Sequence, residues 1–130
     1  MRRLAVVGAV VLAAGCSGHR HAGSNAAVVR IEGVRVGDAI PVEGSYSYVR
    51  VEQGGHKVVQ VRLRGPNESA TIRLDPGSYR LVSFQRTCGG NCNLLDAPGD
   101  FCHRDISLEP RDVVEATVTI DFSVGCRISF

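Results

Sequence analysis

From residue 114 to residue 130 every even position is apolar: Val114, Ala116, Val118, Ile120, Phe122, Val124, Cys126, Ile128 and Phe130. The odd positions are mostly polar, with Glu115, Thr117, Thr119, Asp121, Ser123, Arg127 and Ser129. A period of two places alternate side chains on opposite faces of a strand, and no amphipathic helix produces it. The stretch is longer than a usual strand of roughly 3–10 residues. It is therefore expected to bend near Gly125, as one long strand or as a hairpin. Cys126 falls on the apolar face, where a structural disulfide belongs.

The chain upstream repeats this logic in shorter pieces. In residues 28–36 (VVRIEGVRV), Val29 and Ile31 share one face, and Arg30 and Glu32 the other. The parity is expected to slip at Gly33, through a bulge or tight bend that gives the apolar face to Val34 and Val36. Residues 45–52 place Val49 and Val51 inward and Tyr46, Tyr48 and Arg50 outward. Tyr and Arg are enriched among interface anchors, so these three form a candidate recognition surface. The competing reading covers that face with a loop, or turns the tyrosines inward through a bulge. Gln53-Gly54-Gly55 reads as a hairpin turn. Residues 56–64 then place Val59, Val61 and Leu63 inward, and residues 70–74 do the same with Ala70, Ile72 and Leu74. Residues 78–87 carry apolar groups on both faces, the mark of a central strand covered on both sides. No segment after residue 27 sustains a helical period. The expected fold is all-β: a single antiparallel β-sandwich of about seven strands over residues 28–130, with Greek-key-like connections.

The N-terminus reads as an export signal. Arg2 and Arg3 precede an apolar run over residues 4–14, too short for a spanning helix, which needs about 20 residues, but suited to a signal peptide. The run ends in Leu12-Ala13-Ala14-Gly15-Cys16, which resembles the lipobox of bacterial lipoproteins, with Ala13 where Leu is commonest. The resemblance implies a signal peptide over residues 1–15, cleavage before Cys16 and acylation of its sulfur. The protein would then be held at the extracytoplasmic face of the cell membrane. Ordinary secretion with cleavage near Ala14 is the alternative. Residues 16–27 read as the lipidated cysteine and a flexible tether. Eleven small, polar residues of this kind span about 18 Å. His19 and His21 on such a tether make a poor metal site.

The formal charge of +2 comes from Arg2 and Arg3; without them 13 basic side chains face 13 acidic ones. A neutral domain lacks the basic face that nucleic acid or anionic lipid requires. No nucleic-acid partner is expected.

Apart from Cys16, the cysteines are Cys88, Cys92, Cys102 and Cys126. In an exported domain they imply two disulfides, with three connectivities open. The favoured pairing is Cys92–Cys102, pinning the loop, and Cys88–Cys126, tying two strands. The loop-entropy model gives these roughly 3 and 4 kcal/mol. The spacing of Cys88 and Cys92 does not match the C-x-x-C of thioredoxin-like redox sites. Leu94, Leu95 and Phe101 in this cysteine-rich segment form a second candidate binding surface, unless they fold back over the end of the sandwich.

No hydrolase, metalloprotease or phosphate-loop motif occurs, and Asn91, Asn93, Asp96 and Asp100 do not make a dense calcium loop. No catalytic residues, metal ligands or cofactor are assigned. The leading expectation is a non-catalytic module with a binding or structural role in the cell envelope, its partner a cell-wall protein, peptide or glycan. The rival is a small metal-binding protein or enzyme using His56 or His103 with Asp96, Asp100 or Asp105.

Ile31-Glu32-Gly33-Val34, Ala39-Ile40-Pro41-Val42 and Leu74-Asp75-Pro76-Gly77-Ser78-Tyr79-Arg80-Leu81 together resemble prealbumin-like sandwiches. These include the transthyretin-like, carboxypeptidase-regulatory and collagen-adhesin B-type domains. The lysine–asparagine cross-link of some B-type repeats is not expected, because Lys57 is the single lysine and the first strand offers Arg30. The cysteine-rich segment is similar to small lipoproteins of GC-rich Gram-positive bacteria, which implies an envelope location and no particular reaction.

Overall fold

Among the described residues, eight strands form two four-stranded sheets packed as a sandwich. The computed structural model describes residues 22–36, 44–64, 67–88, 92–121 and 124–130, and none of these is helical. The strands are β1 (Ala27–Val36), β2 (Ser45–Gln53), β3 (His56–Arg62), β4 (Ser69–Leu74), β5 (Gly77–Thr87), β6 (Gly99–Leu108), β7 (Val113–Asp121) and β8 (Gly125–Ser129). One sheet has the order β4-β1-β7-β8 and the other β3-β2-β5-β6. The all-β sandwich expected from the alternation is the observed fold. Its eighth strand arises because residues 114–130 form a hairpin: Gly125 takes φ 92°, and Ile120 pairs with Cys126. Neighbouring strands are antiparallel except β1 and β7, which run parallel. A parallel pair needs a long crossover, and here the chain visits the opposite sheet between them.

The core follows the period of two. Val29 and Ile31 from β1, Val49 and Val51 from β2, Ile72 and Leu74 from β4, and Ala116, Val118 and Ile120 from β7 are all buried. Each such valine, leucine or isoleucine contributes roughly 1.5–3 kcal/mol, which fixes the register of every strand that carries two or more of them. Tyr79 closes one end of the core, its hydroxyl donating to the Asp75 carbonyl at 2.7 Å. The chain enters at that same end. Ala26 and Ala27 are buried, the Arg111 N–H donates to the Asn25 carbonyl at 3.1 Å, and the Gly23 N–H to the Asp75 carboxylate at 3.1 Å. The folded unit thus already includes the end of the stretch read as a tether. Residues 1–15 and Cys16 lie outside the described residues.

Two expectations are corrected. The parity of β1 does not slip at Gly33, since its register with β7 runs unbroken from Val28↔Val113 to Val36↔Asp121. Arg35 takes the inward position, and Val34 and Val36 remain exposed. The cause is an ion pair: Arg35 meets both oxygens of Glu68 at 2.8 Å, and Ser47 lies within 3.3 Å of the guanidinium. The Gly33 N–H donates to the Glu68 carbonyl at 2.9 Å. A Cβ at Gly33 would stand 3.1 Å from the Glu68 Cβ, so glycine serves this close approach and not a bulge.

The disulfides are Cys88–Cys92 and Cys102–Cys126, in place of the favoured Cys92–Cys102 and Cys88–Cys126. Sheet order supplies the reason. β6 and β8 are edge strands of opposite sheets and meet along one side, where Arg104 donates to the Ile128 carbonyl at 3.2 Å. Cys102 and Cys126 face each other across this seam. Cys88 follows β5, and β6 separates that strand from the seam, so its sulfur pairs locally with Cys92.

Candidate binding face

Antiparallel register sets the outer surface of the β3-β2-β5-β6 sheet. Tyr48 on β2 pairs with Arg62 on β3 and Phe84 on β5, and Tyr46 pairs with Arg86. The Tyr48 and Phe84 rings stack with centroids 5.4 Å apart and planes 8° apart. Phe101 joins from the other side at 5.7 Å. It arrives there through a bulge: Ser83 pairs with Cys102 and Gln85 with Gly99, so Asp100 and Phe101 together oppose the single residue Phe84. Asp100 takes φ 52°, and the extra residue aims the Phe101 ring at the stack. Phe84 is only 2% exposed although it lies on the outer face, while Phe101 is 56% exposed. The Arg62 guanidinium sits 3.7 Å from the Tyr46 ring centroid, and that of Arg50 lies 5.6 Å from Phe84. These are cation–π distances.

Towards the end where the chain enters, the same face turns polar. Arg50 Nε bonds Glu52 Oε1 at 2.8 Å, and Arg80 Nε bonds Asp105 Oδ1 at 2.7 Å. The hydrogen bond from Arg80 is the main cause holding the Asp105 carboxyl below its usual range. Ser78 and Ser107 lie 3.3 Å apart in the next row. Beside them the Gly54-Gly55 turn borders an open depression of about 510 Å³. Ligand sites usually occupy about 300–1,000 Å³.

The two candidate surfaces read from sequence thus merge in part. Tyr46, Tyr48, Arg50 and Phe101 share one sheet face, Tyr48 and Phe101 through Phe84. Leu94 and Leu95 do not join that stack. Leu94 is 76% exposed on the segment after Cys92, and Leu95 is half-buried. That segment is held by Arg86, which donates to the Leu95 and Asp96 carbonyls at 3.0 and 2.8 Å, and by Thr87, whose hydroxyl bonds Asp96 at 2.7 Å. Sequence reasoning missed Phe84 as the centre of the stack. Its signal was the second apolar face of residues 78–87, without the register that sets Phe84 opposite Tyr48.

The histidines are set apart. His56 lies on β3 and His103 on β6, with β2 and β5 between them. The Asp105 carboxylate engages Arg80, and that of Asp96 engages Thr87. Among the described residues no three His, Cys, Asp or Glu side chains converge as metal ligands.

No protein-family model matches the chain, and no curated protein matches it in sequence.

Proposed function

We propose that this chain is a lipid-anchored, extracytoplasmic binding module of the cell envelope, without catalytic activity, and that it recognises its partner through the outer face of the β2 sheet. The observation that carries the reading is the aromatic stack itself. Tyr48 and Phe101 flank a buried Phe84 on a surface that points away from the core. Rigid rings beside arginine are what concentrates binding energy at recognition surfaces. The sandwich supports the rest by its polarity. The chain enters beside Asp75 and Asn25, whereas the stack lies towards the opposite end, so a tether from Cys16 would present it away from the membrane. The two four-stranded sheets, with Pro76-Gly77 opening the inner strand β5, are in keeping with a prealbumin-like domain. Acylation of Cys16 rests on the lipobox resemblance alone.

A photocrosslinking side chain at position 101 tests the face in intact cells, with position 71 on the opposite sheet as control. Capture at 101 and not at 71 is expected. Equal capture at both, or none, rejects the face. A clickable fatty acid tests the anchor: label retained by Cys16→Ala rejects lipidation there.

A further inference from the structure

We infer that the outer edge of β3 binds an extended acidic peptide segment of a partner protein, which adds to the β3-β2-β5-β6 sheet as a further strand. The inference deepens the proposed binding role by naming the kind of partner, and the edge is testable apart from the Phe101 ring.

The sheet order makes β3 an edge strand among the described residues, with β2 on its inner side. The Leu63 N–H donates to the Ser47 carbonyl at 2.9 Å, and the same register continues through Val61↔Val49 and Val59↔Val51. In an antiparallel ladder the backbone groups of successive residues point to alternate sides of the strand. Those of Leu63, Val61 and Val59 therefore turn to β2, and those of Gln60 and Arg62 turn outward. Arg64 shows that this edge accepts a neighbour. Its N–H and carbonyl exchange bonds with Ser69 at 3.1 and 2.9 Å. Among the described residues no segment carries that pairing on to Arg62 and Gln60. Such an edge offers alternating N–H donors and C=O acceptors at the spacing of a peptide backbone, so its occupant is a strand.

Charge selects which strand. From His56 to Arg64 every ionisable side chain is basic: His56, Lys57, Arg62 and Arg64. The Arg62 guanidinium lies 3.7 Å from the Tyr46 ring centroid, and its Nε is buried without a hydrogen-bond partner. None of these side chains forms an ion pair among the described residues. Glu52 stands opposite Lys57 in register, but its carboxylate is held by Arg50 at 2.8 Å. Across β2, Arg86 stands opposite Tyr46 and bonds only the Leu95 and Asp96 carbonyls, so it adds a further cation. A second copy of β3 would set this basic edge against itself, and like charges on neighbouring strands repel. Lysine on an edge discourages indiscriminate pairing, and here it favours an acidic strand over any other. Val58, 50% exposed where the β2–β3 register shifts, adds an apolar contact. The occupant is thus a segment alternating carboxylates with apolar residues. Its backbone pairs with Gln60 and Arg62, and a carboxylate meets the Arg62 guanidinium.

The test uses the full chain, exported to an oxidising compartment, and follows its backbone amides by resonance position and by hydrogen exchange. The probe is a capped hexapeptide alternating glutamate with valine, at millimolar concentration. One control carries lysine in place of glutamate. The other is N-methylated throughout, which keeps the charge and removes the backbone donors. Saturable binding of the glutamate peptide is expected, with slowed exchange at Gln60 and Arg62, and both controls should bind at least tenfold more weakly. Arg62→Gln should weaken binding at least tenfold. Gln60→Pro removes an outward N–H and leaves the ladder to β2 in place, and it should weaken binding by a similar factor. Equal binding of either control or by either variant, or slowed exchange elsewhere on the surface, overturns the inference. If the glutamate peptide does not bind while a crosslinker at position 101 captures a protein, the edge is rejected and the face stands. If the peptide binds at β3 and position 101 captures nothing, the edge stands and the face is rejected. If neither occurs, both are rejected.

Discussion

Cys102 and Cys126 bridge the edge strands of opposite sheets, their Cα atoms 5.5 Å apart, and so close the sandwich along one side. Cys88 and Cys92 close only a short loop, four residues apart in sequence. In the loop-entropy model the longer closure stabilises by about 3.5 kcal/mol and the shorter by about 2 kcal/mol. Replacing Cys102 and Cys126 together by serine is therefore expected to cost more than replacing Cys88 and Cys92 together. Urea denaturation of the two double variants measures the difference. Peptide mapping without reduction should recover 88–92 and 102–126 pairs. A 92–102 peptide would contradict the arrangement.

The Arg35–Glu68 pair should be the most consequential ion pair among the described residues. The Arg35 side chain is 11% exposed and that of Glu68 24% exposed, whereas Arg30–Glu115 and Arg80–Asp105 are at least half exposed. Exposed pairs contribute roughly 0–1 kcal/mol. Removing one member of a buried pair strands its partner, at about 3–5 kcal/mol. Glu68→Gln is expected to cost about 3 kcal/mol, near the lower end because Glu68 retains some solvent. Glu115→Gln should cost less than about 1 kcal/mol. A double-mutant cycle with Arg35→Met isolates the coupling, and a coupling near zero would mean that the pair contributes nothing net.

Alkaline pH should lower the stability of the protein through Tyr79. Burial is the main cause raising its phenol above the ordinary tyrosine value, and the Asp75 charge adds to this, against a hydrogen bond with Gln53. The folded state therefore holds its proton to higher pH than the unfolded chain does. Stability is complete below the unfolded value, near pH 10, and is lost as pH rises from there through the folded value. Tyr79→Phe gives up the hydrogen bond to Asp75, at about 1 kcal/mol, and should flatten the alkaline decline. Urea midpoints measured from neutral pH upward would reveal this. An equally steep decline in the variant would assign the effect elsewhere.

Much of the sandwich was legible because its strands obey a period of two. Val49 and Val51, Val59 and Val61, Ile72 and Leu74, and Ala116, Val118 and Ile120 all face inward as the pattern requires. The failures share one physical origin, contact between residues far apart in sequence. Arg35 looked like an outward residue because Glu68, the partner that makes its burial tolerable, lies 33 positions away. The hairpin of β7 and β8 was left open because its arms pair residues of equal parity, as in Ile120↔Cys126, so the alternation runs on from one arm into the other. The cystines depended on β8 lying against β6, which no local pattern encodes. Half of the candidate face was visible as Tyr46, Tyr48 and Arg50. Its other half required the bulge that delivers Phe101.

Phe84 and Phe101 separate folding from recognition. Both belong to the same stack, but Phe84 is 2% exposed and Phe101 is 56% exposed. Phe84→Ala leaves a hole beneath Tyr48 and Arg50, and such truncations cost about 3–5 kcal/mol. Phe101→Ala removes a ring that water already reaches on one side, so its cost should stay within about 1 kcal/mol. Chemical denaturation of the two variants should therefore diverge widely. Partner capture in cells should fall for both, and for Phe101→Ala it should fall without loss of folded protein. A Phe101→Ala variant that destabilises as much as Phe84→Ala would make the ring a structural cover for the sheet. One that is both stable and fully competent in capture would remove the stack from the binding face.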